Sequence, residues 1–146
     1  PKYQNHMLRT TATTQSISAI RPIQSALSEY IAYNGELPGS YGDLSSVGFV
    51  NNSGKTFSQA SEFVNGAVSA VNVVFPSDDD ESLIFAISFD CKEVKSEGCS
   101  RVAPKVLQSM TLEISASLQQ SNGSIRYFID PSRTKNLAFQ GFLPRL

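Results

Sequence analysis

Two cysteines, Cys91 and Cys99, are the residues of this chain best suited to covalent chemistry. The segment between them, Lys92-Glu93-Val94-Lys95-Ser96-Glu97-Gly98, is polar and ends in glycine. An isolated pair closing such a loop is what a disulfide does in an oxidising compartment; two free thiols in a reducing one are the alternative. A metal centre is disfavoured, because two thiolates leave a tetrahedral shell half filled and His6, the sole histidine, lies far away in sequence. His6 has no recognisable nucleophile or orienting acid beside it. The serines form no Gly-x-Ser-x-Gly elbow, and Asn52-Ser53-Gly54-Lys55-Thr56 has the ending of a phosphate loop without its upstream glycine or strand. Asp78-Asp79-Asp80-Glu81 lacks the spaced, glycine-turned pattern of a calcium loop and reads as a solvated turn between strands. The sequence therefore points away from an enzyme and asks for no cofactor or metal.

Charge leaves one binding chemistry open. Residues 1–100 hold six basic and eleven acidic side chains, and residues 101–146 hold six and two, for a formal net charge of −1. Such polarity suits identical subunits docking head to tail. Arg101, Lys105, Arg126, Arg133 and Lys135, with Arg145 beyond them, are candidate contacts to DNA phosphates, with Tyr127 or Phe128 available to stack on bases. Charges spread over this much chain read more readily as scattered surface or subunit contacts, so DNA is admitted as a partner but not favoured.

The elements that must position these residues start with a long helix. From Lys2 to Tyr33, Leu8, Ile17, Ile20, Leu27 and Ile31 recur at helical spacing, widened by Ala12, Ala19, Ile23, Ala26 and Tyr30. At 1.5 Å per residue the segment spans roughly 45–48 Å, against a radius of gyration of about 15 Å for a body of this length. The helix is therefore expected to project beyond its own globule and to need a partner. Pro1 fits a first turn, but no capping residue precedes it, so the start reads as a cut within a longer helix. Pro22 is expected to bend the rod, and Asn34-Gly35 followed by Pro38 ends it.

Beyond the helix, Gly, Ser, Asn and Pro dominate a loop in which Asp43-Leu44 makes one helical turn and 59–65 is a short helix or irregular. The period then changes to two. Strands are expected over 67–75, 83–91, 110–118 and 125–129, the last two joined at Asn122-Gly123 by a tight type I′ turn. The tail packs back through Phe139, Phe142 and Leu143. The fold class is α+β: a long N-terminal helix on a four-stranded antiparallel sheet.

These residues resemble those of the type IV pilins, taken without their N-terminal hydrophobic half-helix. Pro1-Lys2-Tyr3-Gln4-Asn5-His6-Met7-Leu8-Arg9 resembles the Pro-x-Tyr-Gln-x-Tyr entry to the amphipathic half of the pilin helix. Asn34-Gly35-Glu36-Leu37-Pro38 with Asp43-Leu44 resembles the start of the αβ loop. Thr111-Leu112-Glu113-Ile114 and Asn122-Gly123-Ser124-Ile125-Arg126-Tyr127 resemble the pilin hairpin, and Phe142-Leu143-Pro144 the closing Tyr-Leu-Pro. One departure is plain: such pilins clamp the C-terminal region with cysteines that would lie near Ile129 and Leu146, and neither is present.

The resemblance implies one pilin-like domain over 1–146, with the amphipathic half-helix at 1–33, the αβ loop at 34–66, the sheet at 67–130 and a C-terminal loop at 131–146. It implies a structural subunit of a bacterial surface filament for adhesion, twitching motility or DNA uptake, held in the inner membrane by the absent segment before assembly. Its partners would be other pilin subunits, met through a helix face including Leu8, Ile17, Ile20, Leu27 and Ile31. A DNA-binding minor pilin and a type II secretion pseudopilin share the same architecture and are the alternatives.

Overall fold

The computed structural model describes residues 2–77, 82–94, 98–119 and 121–146. Pro1, the acidic stretch 78–81 for which a turn is expected, residues 95–97 between the cysteines, and Gln120 lie outside them. The helix α1 runs over Lys2–Asn34, is unbroken at Pro22, and ends where Gly35 takes a left-handed φ of 71° and donates its N–H to the Ile31 carbonyl at 2.8 Å. A short α2, Tyr41–Ser45, is capped by the Ser40 hydroxyl, which accepts from the Asp43 N–H. Among the described residues no helix is long and apolar enough to cross a membrane.

The strands β1 (Ala70–Val74), β2 (Ser82–Ser88), β3 (Thr111–Leu118) and β4 (Ile125–Phe128) form an antiparallel meander in that spatial order. Register follows side-chain alternation. Val71 and Val73 stand opposite Ile87 and Phe85, which in turn face Leu112 and Ile114, so one face is continuously apolar. Against it α1 lays Ala12, Ala19, Ile20, Ile23, Ala26 and Leu27, all buried, with Phe89, Leu107 and Phe139 closing the core. The period of 3.6 on the helix and of 2 on the strands meet on this one surface. The β3–β4 hairpin closes with the Gln119 N–H on the Ser124 carbonyl at 2.8 Å, in place of the Ser121–Ser124 closure that a two-residue Asn122-Gly123 turn would give. Asn122 serves it through its side chain, accepting from the Ser124 N–H and hydroxyl.

The loop between α1 and β1 has a core of its own. Phe49, Phe57 and Phe63 pack with ring centroids 4.7 Å apart in two of the pairs, and Tyr41 meets Phe75 edge-on at 5.0 Å. A 3₁₀ turn at Ala60–Phe63 is capped by Glu62, whose carboxylate accepts the Ser58 and Gln59 N–H groups and the Asn51 amide. These N–H donors, Ser58 first, hold the Glu62 carboxyl below its ordinary pKa.

The helix is covered further toward its start than the length argument expects. The C-terminal segment runs back along it, bringing Gly141 beside Asn5 and Arg145 into one cleft with Arg9 and Thr10. Leu8 is half-buried on the core.

Candidate functional site

Proline in the middle of α1 sets up the first functional feature. Pro22 has no N–H to offer the Ser18 carbonyl one turn back. Asn65 fills the gap from outside the helix, its Nδ2 donating to that carbonyl at 3.4 Å. Three residues earlier on the same face, Gln15 interrupts the apolar stripe and accepts the Ala67 N–H on its Oε1 at 2.9 Å, in a buried setting. The intervening Gly66 has φ 58°, and a Cβ there would land on the Gln15 Oε1. Its carbonyl accepts in turn from the N–H groups of Ser100 and Arg101, at 3.1 and 3.2 Å. Those two residues follow Cys99, which is disulfide-bonded to Cys91. A chain of contacts thus runs from the helix through 65–67 to the disulfide, whose cysteines are both buried. The Cys91–Cys99 expectation holds; the alternative of free thiols does not.

The open edge of β3, beyond the end of β4, is held without covalent help. β4 pairs with β3 only from Ser115 to Leu118, which leaves the β3 backbone edge open at Glu113. The side-chain amide of Asn136 takes the place of the missing strand. It accepts the Glu113 N–H at 2.8 Å and donates at 3.0 Å to the Glu113 carbonyl, and also to the Asp130 carbonyl. Asn136 is 1% exposed, so both backbone groups would otherwise be buried and unpaired. Phe139 is fully buried and meets Phe142 edge-on at 5.6 Å. This aromatic pair anchors the tail as expected, with Leu143 half-buried beside the core.

The candidate assembly residues divide. Ile20, Leu27 and Ile31 are 1%, 0% and 6% exposed, taken up by the chain's own core, and Leu8 and Ile17 are half-buried. The expectation that Ile20 and Leu27 belong to the outward face is therefore corrected. A single sheet consumes the wide apolar stripe because it presents two rows of branched and aromatic residues and because the tail extends the cover. What α1 leaves outside is mostly polar: Thr10, Thr14, Ser18, Ser25, Ser28 and Ala32 are small, His6, Arg21 and Glu29 are larger, and Met7 and Tyr33 stand out near its two ends at 51% and 77% exposure.

The basic residues divide as well. Arg133 makes a two-pronged ion pair with Glu113, Nε to Oε1 at 3.1 Å and Nη2 to Oε2 at 3.4 Å. Arg126 is exposed on β4, its guanidinium 4.8 Å from the centre of the Phe128 ring. Lys135 is exposed in the 3₁₀ turn Thr134–Phe139, while Arg101 and Lys105 belong to the exposed segment between the disulfide and β3. Tyr127, offered for stacking, is on the core face against Phe85, and burial pushes its hydroxyl up to about 12. Phe128 is already covered on one side by Arg126.

Sequence reasoning passed over Gln15, Asn65, Gly66 and Asn136. A signal existed for the first two: a polar side chain in the buried stripe, and a proline that orphans a carbonyl. Asn136 had none, because the gap it fills exists only once β4 stops short. No protein-family model matches this chain, and no curated protein matches it.

Proposed function

We propose that this chain is the structural subunit of a bacterial type IV filament, polymerising through α1 into a surface fibre for adhesion, twitching motility or DNA uptake. The observation that carries the reading is α1 itself. It is a helix of 33 residues whose apolar stripe is covered by the meander and the returning tail and whose other face is mostly polar, with small residues at Thr10, Thr14, Ser18, Ser25 and Ser28. Small side chains let neighbouring helices approach closely, and the covered face makes each subunit a rigid unit that bears load from helix to sheet. The disulfide-to-helix chain of contacts and the Asn136 closure secure the loops an outer surface would carry. DNA contact is the weaker reading, because Glu113 already engages Arg133.

Filaments sheared from cells that produce this protein provide the test. Antibody to residues 34–66 is expected to decorate them along their length in immunogold electron microscopy. Recovery of the chain only as unassembled protein overturns the reading. Its recovery in short envelope-spanning assemblies, with no surface fibre, favours the pseudopilin alternative.

A further inference from the structure

Where the C-terminal tail crosses the first half of α1, Arg9, Thr10, Thr13, Thr14 and Arg145 line a cleft of about 220 Å³. Among the described residues no carboxylate lines it and neither arginine forms an ion pair. The Arg9 Nε is buried there with no acceptor. A buried donor left unpaired costs free energy, more so when charged, and an oxyanion entering the cleft removes that cost. Thr13 already donates its hydroxyl to the Arg9 carbonyl at 2.8 Å, while the hydroxyls of Thr10 and Thr14 have no partner among the described residues. Two guanidiniums and two free hydroxyls make a site for a carboxylate or phosphate.

The opposite end of α1 has the complementary character. Glu29 lines a second, wider cleft of about 400 Å³ with Tyr33, Asn34, Ser46 and Val47, and no cation lines it among the described residues. Twenty residues separate Arg9 from Glu29, about 30 Å along the helix and, at 100° per residue, about 200° around it. Patches on opposite faces cannot both be paired in one two-fold interface; their contact is heterologous and continues from copy to copy into a ring or an open helical array. The acidic excess of 1–100 and basic excess of 101–146 have the same sense.

We infer that the Arg9–Arg145 cleft receives the Glu29 carboxylate of a second copy of this chain, which rests on the filament reading and assigns one of its contacts. Two variants of the full chain test it, one carrying Arg9→Glu with Arg145→Glu, the other Glu29→Arg. Sedimentation velocity at low salt reads association. The parent associates and weakens as salt rises; each variant alone associates about tenfold more weakly or less, equivalent to about 1.4 kcal/mol; an equimolar mixture recovers, since the intact acid of the first meets the intact cleft of the second. Arg145→Glu alone, at an exposed position, gives the same readout should reversal at Arg9 disturb the helix. A parent that stays monomeric, a variant that associates like the parent, or a mixture that fails to recover overturns the inference. So does Arg9-dependent binding to phosphatidylglycerol vesicles or inorganic phosphate without self-association, which gives the cleft to phosphate. Complementation in the mixture without any surface fibre keeps this contact and removes the filament reading. Fibres that assemble unchanged from the double-arginine variant do the reverse.

Discussion

Two irregular segments flanking the sheet solve the same problem by different physics. One is held by the Cys91–Cys99 bond and by hydrogen bonds passing from Arg101 through Gly66 to Gln15. The other, the tail, is held by the amide of Asn136 and by Phe139. A disulfide acts mainly on the unfolded chain by removing its freedom, so its effect survives small changes in packing. A buried amide acts on the folded state alone and in an all-or-none manner, because deleting it strands the groups it served. The tail is therefore the more brittle of the two, although it is the one without a covalent constraint to lose.

The comparison breaks most directly at Asn136. Asn136→Ala leaves the Glu113 N–H and carbonyl and the Asp130 carbonyl without their partner, and is expected to cost about 2–4 kcal/mol in urea unfolding. A loss below about 1 kcal/mol shows that water replaces the amide and that the tail is held by Phe139 alone. The loss should be the same with and without dithiothreitol, since distant sites add.

In the disulfide segment, Cys91→Ala with Cys99→Ala is expected to cost about 2–3 kcal/mol, the chain-entropy value for a loop this short. Reduction of the parent should match it. Hydrogen exchange then sharpens the point: amide protection at Ala67, whose N–H is held by Gln15, falls in the reduced chain if the two are coupled through Gly66. Unchanged protection at Ala67 separates the helix contact from the disulfide.

Acid gives the smallest effect and compares a carboxylate of the loop between α1 and β1 with one beside the tail. Glu62 accepts the Ser58 and Gln59 N–H groups, and Asp130 accepts the Ser132 hydroxyl and N–H, and these bonds lower both pKa values in the folded chain. Their contributions are complete above the unfolded pKa values, about 4, and are lost as pH falls through the lowered folded ones. Stability is expected to decline on acidification below about pH 4, with Glu62→Gln flattening the decline more than Asp130→Asn, because Glu62 also serves Asn51. Equal slopes in all three chains remove both groups as the cause.

Local pattern was sufficient for much of this molecule. Helical spacing over 2–33, alternation in four strands, the Asn34-Gly35 stop and the short cysteine loop are properties of neighbouring residues, and the structure keeps each of them with small changes of boundary. The length of α1 was legible for the same reason, since the apolar spacing resumes after Gln15 and Pro22 and ends only at Asn34-Gly35.

What the sequence could not decide was which way the helix faces. Ile20 and Leu27 look alike whether they meet a sheet or a neighbouring helix, and only the extent of the apolar surface opposite them, two rows of the sheet plus a returning tail, turned both inward. The same holds for Asn136 and for the Arg9–Arg145 cleft, whose partners are brought together by the path of the C-terminal segment. Spacing determines which side chains share an element's face; it takes the packing of distant segments to determine what that face meets.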